Sequence, residues 1–251
     1  MHAAFLGASK GCGWNALQIF LQDPTNTAIL LLRKPLEVKE KLGENVNRVE
    51  MIQGNGTVLE DVKKLFEGKK VDVVVTSLGG APVMTIRGPV VDQPTICTDA
   101  TITLLKVLGE LDYTPRVVAV SSMGIGENHS VMPLLMRILY PLVLSKPHQD
   151  KESLEYLLSR SAKHIPTPTN LPPLLTAEKV QEIKADFLPE VTIVRPAFFT
   201  GGDAPARPEK ELQVDEKACV YTVRRSEVGR LIVECMKGGW VNKMPVIGYK
   251  R

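Results

Sequence analysis

The feature that most constrains the fold is a group of glycines close to the N-terminus. Gly7, Gly11 and Gly13 directly follow a short apolar run that ends at Leu6. Further short apolar runs alternate along the chain with longer segments whose apolar residues recur with a helical period. Because parallel strands need a helical connection between them, this alternation predicts βαβ units and an α/β fold with a doubly wound parallel sheet.

The alternation also predicts where the elements lie. Strands are predicted at 2–7, 27–32, 48–53, 71–77, 116–122 and 191–195, and helices at 13–21, 36–42, 58–67, 95–111 and 150–161. The strand segments are rich in β-branched residues and almost continuously apolar, which is typical of strands covered on both faces.

Two segments interrupt the alternation. A proline-rich stretch at 164–173 forms, together with 174–187, an insertion at about 163–187 that has a short helix of its own, and further loops occupy about 197–218. Both segments come late in the chain, where structure that covers the substrate is common in such sheets. Surface decoration is the alternative interpretation of both.

Composition limits the classes of function. The chain has 251 residues, 44% of them hydrophobic, and a net charge of +3, which gives no general attraction to nucleic acid or anionic membranes. The four cysteines are far apart and form no Cys-x-x-Cys pair, which argues against disulfides and metal sites. No apolar stretch approaches the roughly 20 residues of a membrane span, and the first apolar run is too short for a signal peptide. We therefore expect a cytoplasmic protein without nucleic-acid, membrane or metal partners.

The glycines are placed where a phosphate group could bind. They lie between the first predicted strand and the first predicted helix. A phosphate there needs a tight turn, a backbone without Cβ atoms, and free N–H groups at the start of a helix. Gly7, Gly11 and Gly13 could supply all three, so the sequence predicts a dinucleotide site, with a purely structural turn as the alternative.

The spacing Gly-x-x-x-Gly-x-Gly resembles the nucleotide-binding turn of the short-chain dehydrogenase/reductase superfamily. Residues 73–80 resemble its fourth strand and adenine-side turn, 117–122 its fifth strand and active-site serine, 192–196 its sixth strand and nicotinamide-side loop, and 224–232 the start of the late helix of atypical members. The resemblance implies that 1–251 form a single NAD(P)-binding Rossmann domain. The cofactor-binding residues that it implies are Gly7, Ser9, Lys10, Gly11, Cys12, Gly13, Ser77, Leu78, Gly79, Ser121, Lys151, Pro196 and Phe198.

The end of the second predicted strand indicates which dinucleotide binds. In this kind of fold an acidic residue there bonds the ribose 2′-hydroxyl of NAD, whereas arginine meets the 2′-phosphate of NADP. The chain has Arg33 and Lys34 at this point, and Lys10 precedes the second glycine. Guanidinium groups bind phosphate bidentately, and lysine adds a point charge. NADP(H) is therefore the expected cofactor, and a solvated strand end is the alternative.

The Tyr-x-x-x-Lys motif of the commonest superfamily members is missing. Tyr140 is followed four places later by Leu144, and Tyr156 by Arg160. This departure moves the resemblance to the atypical branch, which includes NmrA-like proteins and NADPH-dependent flavin and biliverdin reductases. In those relatives a lysine or histidine opens the helix after the fifth strand. The resemblance thus implies that Lys151 bridges the nicotinamide ribose, with a solvated lysine as the alternative.

Proton donors and hydrogen-bond donors are available near this lysine. Ser121 and Ser122 end the predicted fifth strand and could bond a substrate carbonyl, while His148 could supply a proton near neutral pH. Tyr140 is a weaker candidate. The substrate pocket is expected beyond the carboxyl ends of the strands, lined by 79–85, 122–125, 197–202 and the proline-rich insertion, with Met84, Met123, Phe198 and Phe199 making it apolar.

Three functions remain open at this stage. The first is an NADPH-dependent reductase that transfers a hydride to a small apolar or aromatic carbonyl, enone, imine or flavin-like acceptor. The second is an NmrA-like regulator that senses NADP(H) without turnover and acts on a protein partner, as the missing tyrosine suggests. The third is a non-redox isomerase or epimerase that uses bound cofactor transiently.

Overall fold

The structure is a computed structural model that describes residues 1–80, 82–85, 88–143, 145–202 and 204–250. The strands are β1 (His2–Leu6), β2 (Thr27–Leu32), β3 (Val49–Gln53), β4 (Val73–Thr76), β5 (Pro82–Thr85), β6 (Gly88–Val91), β7 (Arg116–Val120), β8 (Val191–Pro196), β9 (Phe198–Phe199), β10 (Leu212–Asp215), β11 (Thr222–Val223) and β12 (Val246–Tyr249). The helices are α1 (Gly11–Phe20), α2 (Pro35–Leu42), α3 (Leu59–Lys63), α4 (Ile96–Glu110), α5 (Leu134–Val143), α6 (Ser145–Ser161), α7 (Ala177–Gln181) and α8 (Arg225–Met236), with 3-10 turns at Gly43–Arg48 and Gly126–Val131.

One large sheet organises the chain. Its strand order is β10-β12-β8-β7-β4-β1-β2-β3, and every neighbouring pair is parallel except β10 with β12. From β1 the chain first builds outward through β2 and β3, and then returns to the other side of β1 with β4 and β7. The order therefore reverses between β1 and β4, and in open α/β sheets ligands bind in the crevice at such a reversal.

The sheet is apolar on both faces because helices cover both. Helices α1 and α8 pack on one face, where a Cβ on Gly229 would lie 2.6 Å from the Cβ of Asn15, so the two helices approach closely. Helices α4 and α6 cover the other face through residues such as Leu104 and Leu157. The predicted doubly wound parallel sheet is confirmed.

The proline-rich insertion lies away from the expected substrate side. It packs against the C-terminal ends of α4 and α6: Lys106 pairs with Glu182, and Arg160 donates to the carbonyl oxygen of Ile183. Those helix ends lie at the amino ends of the strands, so the expectation that this insertion lines the substrate pocket is wrong. The short helix expected within it is confirmed as α7. A cavity of about 230 Å³ beside Phe187 and Lys184 also lies at this end, remote from the glycine turn.

Among the residues that the structure describes, every helix is too short or too polar to cross a lipid bilayer.

Candidate functional site

The glycine turn connects β1 to α1, and its geometry explains why glycine is needed. Gly7 has φ +90° and Gly11 has φ +67°, conformations that side chains disfavour. A Cβ on Gly7 would lie 2.6 Å from the carbonyl oxygen of Ser77, and one on Gly13 would lie 2.4 Å from the carbonyl oxygen of Gly7. The turn thus brings the start of α1 close to the ends of β1 and β4. The first N–H groups of α1 have no partner within the helix, so this end of α1 is suited to bind an anion.

Basic side chains surround this turn. Lys10 precedes α1 with extended backbone and an exposed side chain, and the first turn of α1 contains no acidic residue. Arg33 is exposed immediately after β2. Lys34 differs from the expectation, because its Nζ lies 2.8 Å from Oε1 of Glu37 and the ammonium is therefore already paired. Arg33 and Lys10 are left as the stronger cationic candidates.

Lys151 is held at the carboxyl ends of two central strands. Its Nζ donates to the carbonyl oxygen of Leu78 at 2.8 Å, after β4, and to that of Val120 at 2.7 Å, at the end of β7. Helix α6 begins at Ser145 and not at about 150, so Lys151 lies in its second turn. An ammonium has three protons, and two of them are directed to these carbonyls. The lysine is fixed in place, contrary to the solvated alternative.

The residue before this lysine, Asp150, anchors α6 to the start of α4. Its buried carboxylate accepts hydrogen bonds from the backbone N–H groups of Cys97 at 2.9 Å and Thr98 at 2.8 Å, and from the Thr98 hydroxyl at 2.7 Å. These amides belong to the first turn of α4, so Asp150 caps that helix from another element. No role for Asp150 was predicted from the sequence.

A second buried pair fixes α6 on the sheet one turn later. Arg195 in β8 donates from Nε and Nη2 to the two carboxylate oxygens of Glu155 at 2.9 and 2.6 Å. Burial lowers and the Glu155 carboxylate raises the pKa of Arg195, and the net direction is upward. Asp150 and Glu155 together hold Lys151 in a defined position.

Ser122 and His148 are brought together by β7 and α6. The Oγ of Ser122 lies 3.3 Å from Nε2 of His148, and it donates to the Met123 carbonyl oxygen at 3.2 Å. Because a hydroxyl has one proton, this arrangement favours the imidazole tautomer that donates from Nε2 to Ser122. Burial, helped by the nearby His129, lowers the pKa of His148 to about 4. The imidazole is therefore neutral at physiological pH.

The other predicted residues are distributed along the same edge of the sheet. Ser77 and Leu78 follow β4 and are half-buried, Gly79 and Ser9 are exposed, Cys12 is buried in α1, and Pro196 is buried at the end of β8. Phe198 is 45% exposed. Ser121 is buried, and its Oγ has no hydrogen-bond partner in the described part of the chain.

Two expectations about the pocket lining change. Met123 is 1% exposed and belongs to the core, so it is not available to a substrate. The side chains of Met84 and Tyr140 lie outside the described residues. Phe199 is partly buried and packs against the core, which leaves Phe198 as the exposed aromatic side chain beyond β8.

The candidate site thus extends across the sheet. Arg33 follows β2, the glycine turn follows β1, Leu78 follows β4, and Ser122 follows β7; these four strands are neighbours in this order. All four ends face the same edge because the strands are parallel. An extended dinucleotide could lie along this edge with its phosphates over the glycine turn and its other half beside Ser122, His148 and Lys151.

No family model matches the chain. A solved structure described as a short-chain dehydrogenase/reductase (wide type) from Veillonella parvula in complex with NADP matches 98% of this chain and 94% of its own, with a TM-score of 0.68 and 15% identity. The chain has the Rossmann fold. ChuY, described as an anaerobillin reductase from Escherichia coli O157:H7, matches 99% of this chain and 97% of its own, with a TM-score of 0.63 and 16% identity.

Among curated proteins, the chain is similar to two from fungi. It is 27% identical over 253 residues to reductase pytE of Aspergillus terreus, covering 92% of this chain and 89% of that protein. It is 25% identical over 292 residues to oxidase pynE of Aspergillus niger, covering 96% and 95%. The resemblance inferred from the sequence is confirmed for the fold, and both fungal relatives carry oxidoreductase names.

Proposed function

We propose that this protein is an NADP(H)-dependent reductase that transfers a hydride to a small apolar or aromatic carbonyl, enone, imine or flavin-like acceptor. The observation that carries the proposal is the placement of Ser122, His148 and Lys151 on the same sheet edge as the glycine turn. A dinucleotide bound along that edge would bring its nicotinamide to these three side chains.

The residues of the turn fit a dinucleotide phosphate. Gly7, Gly11 and Gly13 leave no Cβ between the ligand and the start of α1, and Lys10 adds positive charge. Arg33 is exposed where the adenosine 2′-phosphate would lie, which favours NADP(H) over NAD(H). The Veillonella parvula structure, whose description names NADP, is consistent with this cofactor.

When bound, the nicotinamide supplies the hydride, and the chain supplies position and protons. The third proton of Lys151 could bond a ribose hydroxyl, because the other two are directed to Leu78 and Val120. The Ser122 hydroxyl could turn from the Met123 carbonyl toward a substrate oxygen. Nε2–H of His148 would then return a proton to Ser122 while Nδ1 takes one up from water, so a neutral imidazole suffices as a relay.

The proposal includes a small-molecule substrate, a cytoplasmic location, and no nucleic-acid or membrane partner. Phe198, 45% exposed beyond β8, supports an apolar or aromatic acceptor.

A regulator of the NmrA-like kind is the second candidate. One observation favours it: Pro147 stands four residues before Lys151, where the common members of the fold carry tyrosine. Such a protein would bind NADP(H), transfer no hydride, and act on a protein partner.

NADPH oxidation against a panel of carbonyl, enone, imine and flavin acceptors tests the two candidates. For the reductase, Lys151→Ala and Ser122→Ala should each lower kcat/KM by roughly 100-fold or more, as is typical for groups that position or transfer protons. Lys163→Ala is the matched control, because this exposed lysine lies at the opposite end of the sheet. Arg33→Gln should weaken NADPH binding about tenfold and leave NADH binding unchanged. Tight NADPH binding without oxidation by any acceptor would favour the regulator.

A further inference from the structure

The first residues of α8 hold the loop that follows β9. We call residues 201, 202 and 204–207 the strap. Each of four consecutive residues contacts its backbone. Arg224 donates to the carbonyl oxygen of Pro205, Arg225 to that of Gly202 at 3.1 Å, and Ser226 to that of Ala204 at 3.2 Å, while the Glu227 carboxylate accepts from the N–H of Arg207 at 3.2 Å.

Arg225 also reaches the glycine turn. A Cβ on Gly11 would lie 3.5 Å from Cδ of Arg225 and 3.7 Å from its Nε, so the side chain passes directly over the first residue of α1. Its guanidinium stacks on Phe199, with Cζ 4.7 Å from the ring centroid. The side chain is thus held between the turn, the strap and an aromatic ring.

This is an unfavourable place for an isolated cation. Arg225 is the first residue of α8 and lies against the first residue of α1, so it meets the positive ends of two helix dipoles. Lys10 adds a further positive charge beside the turn. The acid in the first turn of α8, Glu227, already binds the Arg207 amide and lies 3.6 Å from Arg230. An anion over the turn would convert this repulsion into attraction.

We propose that Arg225 binds the pyrophosphate of the dinucleotide and, through Gly202, fastens the strap over the bound cofactor. This rests on the proposed function, because it assumes that a dinucleotide occupies the glycine turn. A guanidinium has five N–H groups in a rigid fork. One edge can therefore keep the bond to Gly202 while another binds phosphate oxygens, so that the cofactor and the strap share one side chain.

If Arg225 binds the pyrophosphate, replacing it should weaken the binding of ligands that contain a pyrophosphate and spare a ligand that lacks one. The pyrophosphate is common to NADPH and NADH, so Arg225→Gln should weaken both by the same factor, about tenfold for the loss of one charge-assisted contact. Adenosine 2′-monophosphate lacks the pyrophosphate and should bind the variant as it binds the wild type. Arg33→Gln should instead weaken the binding of NADPH and of adenosine 2′-monophosphate and leave the binding of NADH unchanged.

Titration calorimetry with these three ligands is the first measurement. Arg225→Lys keeps the charge without the fork and should fall between wild type and Arg225→Gln. Arg230→Gln is the matched control, since it removes an exposed arginine of the same helix, and it should bind all three ligands normally. Thermal unfolding of each variant shows whether it is folded.

Hydrogen exchange of the strap amides is the second measurement. NADPH should slow exchange of the strap amides in the wild type and change it far less in Arg225→Gln under saturating ligand. Two results would refute the role of Arg225 and leave the cofactor assignment standing. One is that the wild type, Arg225→Gln and Arg225→Lys all bind NADPH equally well. The other is that NADPH binds the wild type but leaves hydrogen exchange of its strap unchanged. If the wild type does not bind NADPH, the proposed function itself fails.

Discussion

Replacing Asp150 by alanine should destabilise the protein far more than most substitutions at a helix end. Asp150 is 4% exposed, and its carboxylate is the acceptor for the amides of Cys97 and Thr98 at the start of α4. The change would leave both buried N–H groups without their acceptor. The Thr98 hydroxyl would keep a longer contact of 3.3 Å to the carbonyl oxygen of residue 150.

The magnitude follows from these contacts. Each buried N–H left unpaired costs about 1–3 kcal/mol, and two of them cost about 2–6 kcal/mol. Removing a buried carboxylate also removes its desolvation penalty, which offsets part of the loss. We therefore expect a loss of about 3 kcal/mol in the free energy of unfolding, equivalent to a fall of about 6–12 °C in Tm for a chain of this size.

Urea unfolding and thermal melts measure this loss, and Asp99→Ala is the matched control. Asp99 lies in the first turn of the same helix, but it is half-buried and accepts at 2.8 Å from the side chain of Thr95. Its replacement should cost less than about 1 kcal/mol, as is usual for a partly solvated contact. Equal losses for Asp150→Ala and Asp99→Ala would refute the capping role of Asp150.

Two further predictions concern the turn and the histidine. Gly13→Ala places a methyl group 2.4 Å from the carbonyl oxygen of Gly7. Thermal melts should therefore show a loss of about 1–3 kcal/mol in the free energy of unfolding, and calorimetry should show a weaker affinity for NADPH. Gly109→Ala in α4, where the nearest atom lies 3.7 Å away, is the control and should show neither effect. The pKa of His148 is lowered from 6.5 to about 4 by burial, so the unfolded chain binds a proton in this window that the folded chain does not. The free energy of unfolding should therefore fall by about 3 kcal/mol as pH falls from 6.5 to 4. His148→Gln should remove this pH dependence, and replacement of the exposed histidine in His164→Gln should keep it. Equal pH profiles for wild type and His148→Gln would contradict the burial of a neutral imidazole.

The sheet could be predicted from the sequence because its information is local. Each central strand is a short apolar run, and β2 was predicted at its observed limits, Thr27–Leu32. The strands β10 and β12, at one edge of the sheet, were harder to predict. β10 has an exposed residue at each end and β12 includes Gly248, so neither gives the continuous β-branched pattern of a strand covered on both faces. Helix α5 was not predicted, because its sequence is a short apolar run in which Arg137 is the one charged residue and Pro141 is a helix-breaking residue.

The insertion shows a different limit of sequence analysis. Its prolines correctly indicated a break after α6, yet they did not show where the following residues pack. Glu182 pairs with Lys106 across 76 residues of chain, a contact that no local pattern encodes. Arg225 and Asp150 were overlooked for the same reason, since their partners Gly11 and Thr98 are distant in sequence. The sequence also pointed away from Asp150, because Thr95 precedes α4 and threonine commonly caps a helix, yet in the described structure its side chain makes no such cap.

The geometry around Lys151 offers a physical reason why the missing tyrosine need not prevent catalysis. In this chain the lysine is positioned by two strand-end carbonyls and by a neighbouring carboxylate that caps α4, and none of these contacts requires an aromatic residue one turn earlier. In the proposed reductase the proton-donating role would fall instead to Ser122, which contacts a histidine that burial keeps neutral. A neutral imidazole cannot act as a strong acid. This pair therefore suits acceptors whose reduced form is weakly basic, and so needs no strong acid, or can take its proton from water. A relay of this kind predicts that the choice of acceptor, more than the affinity for the cofactor, will decide how fast this protein turns over.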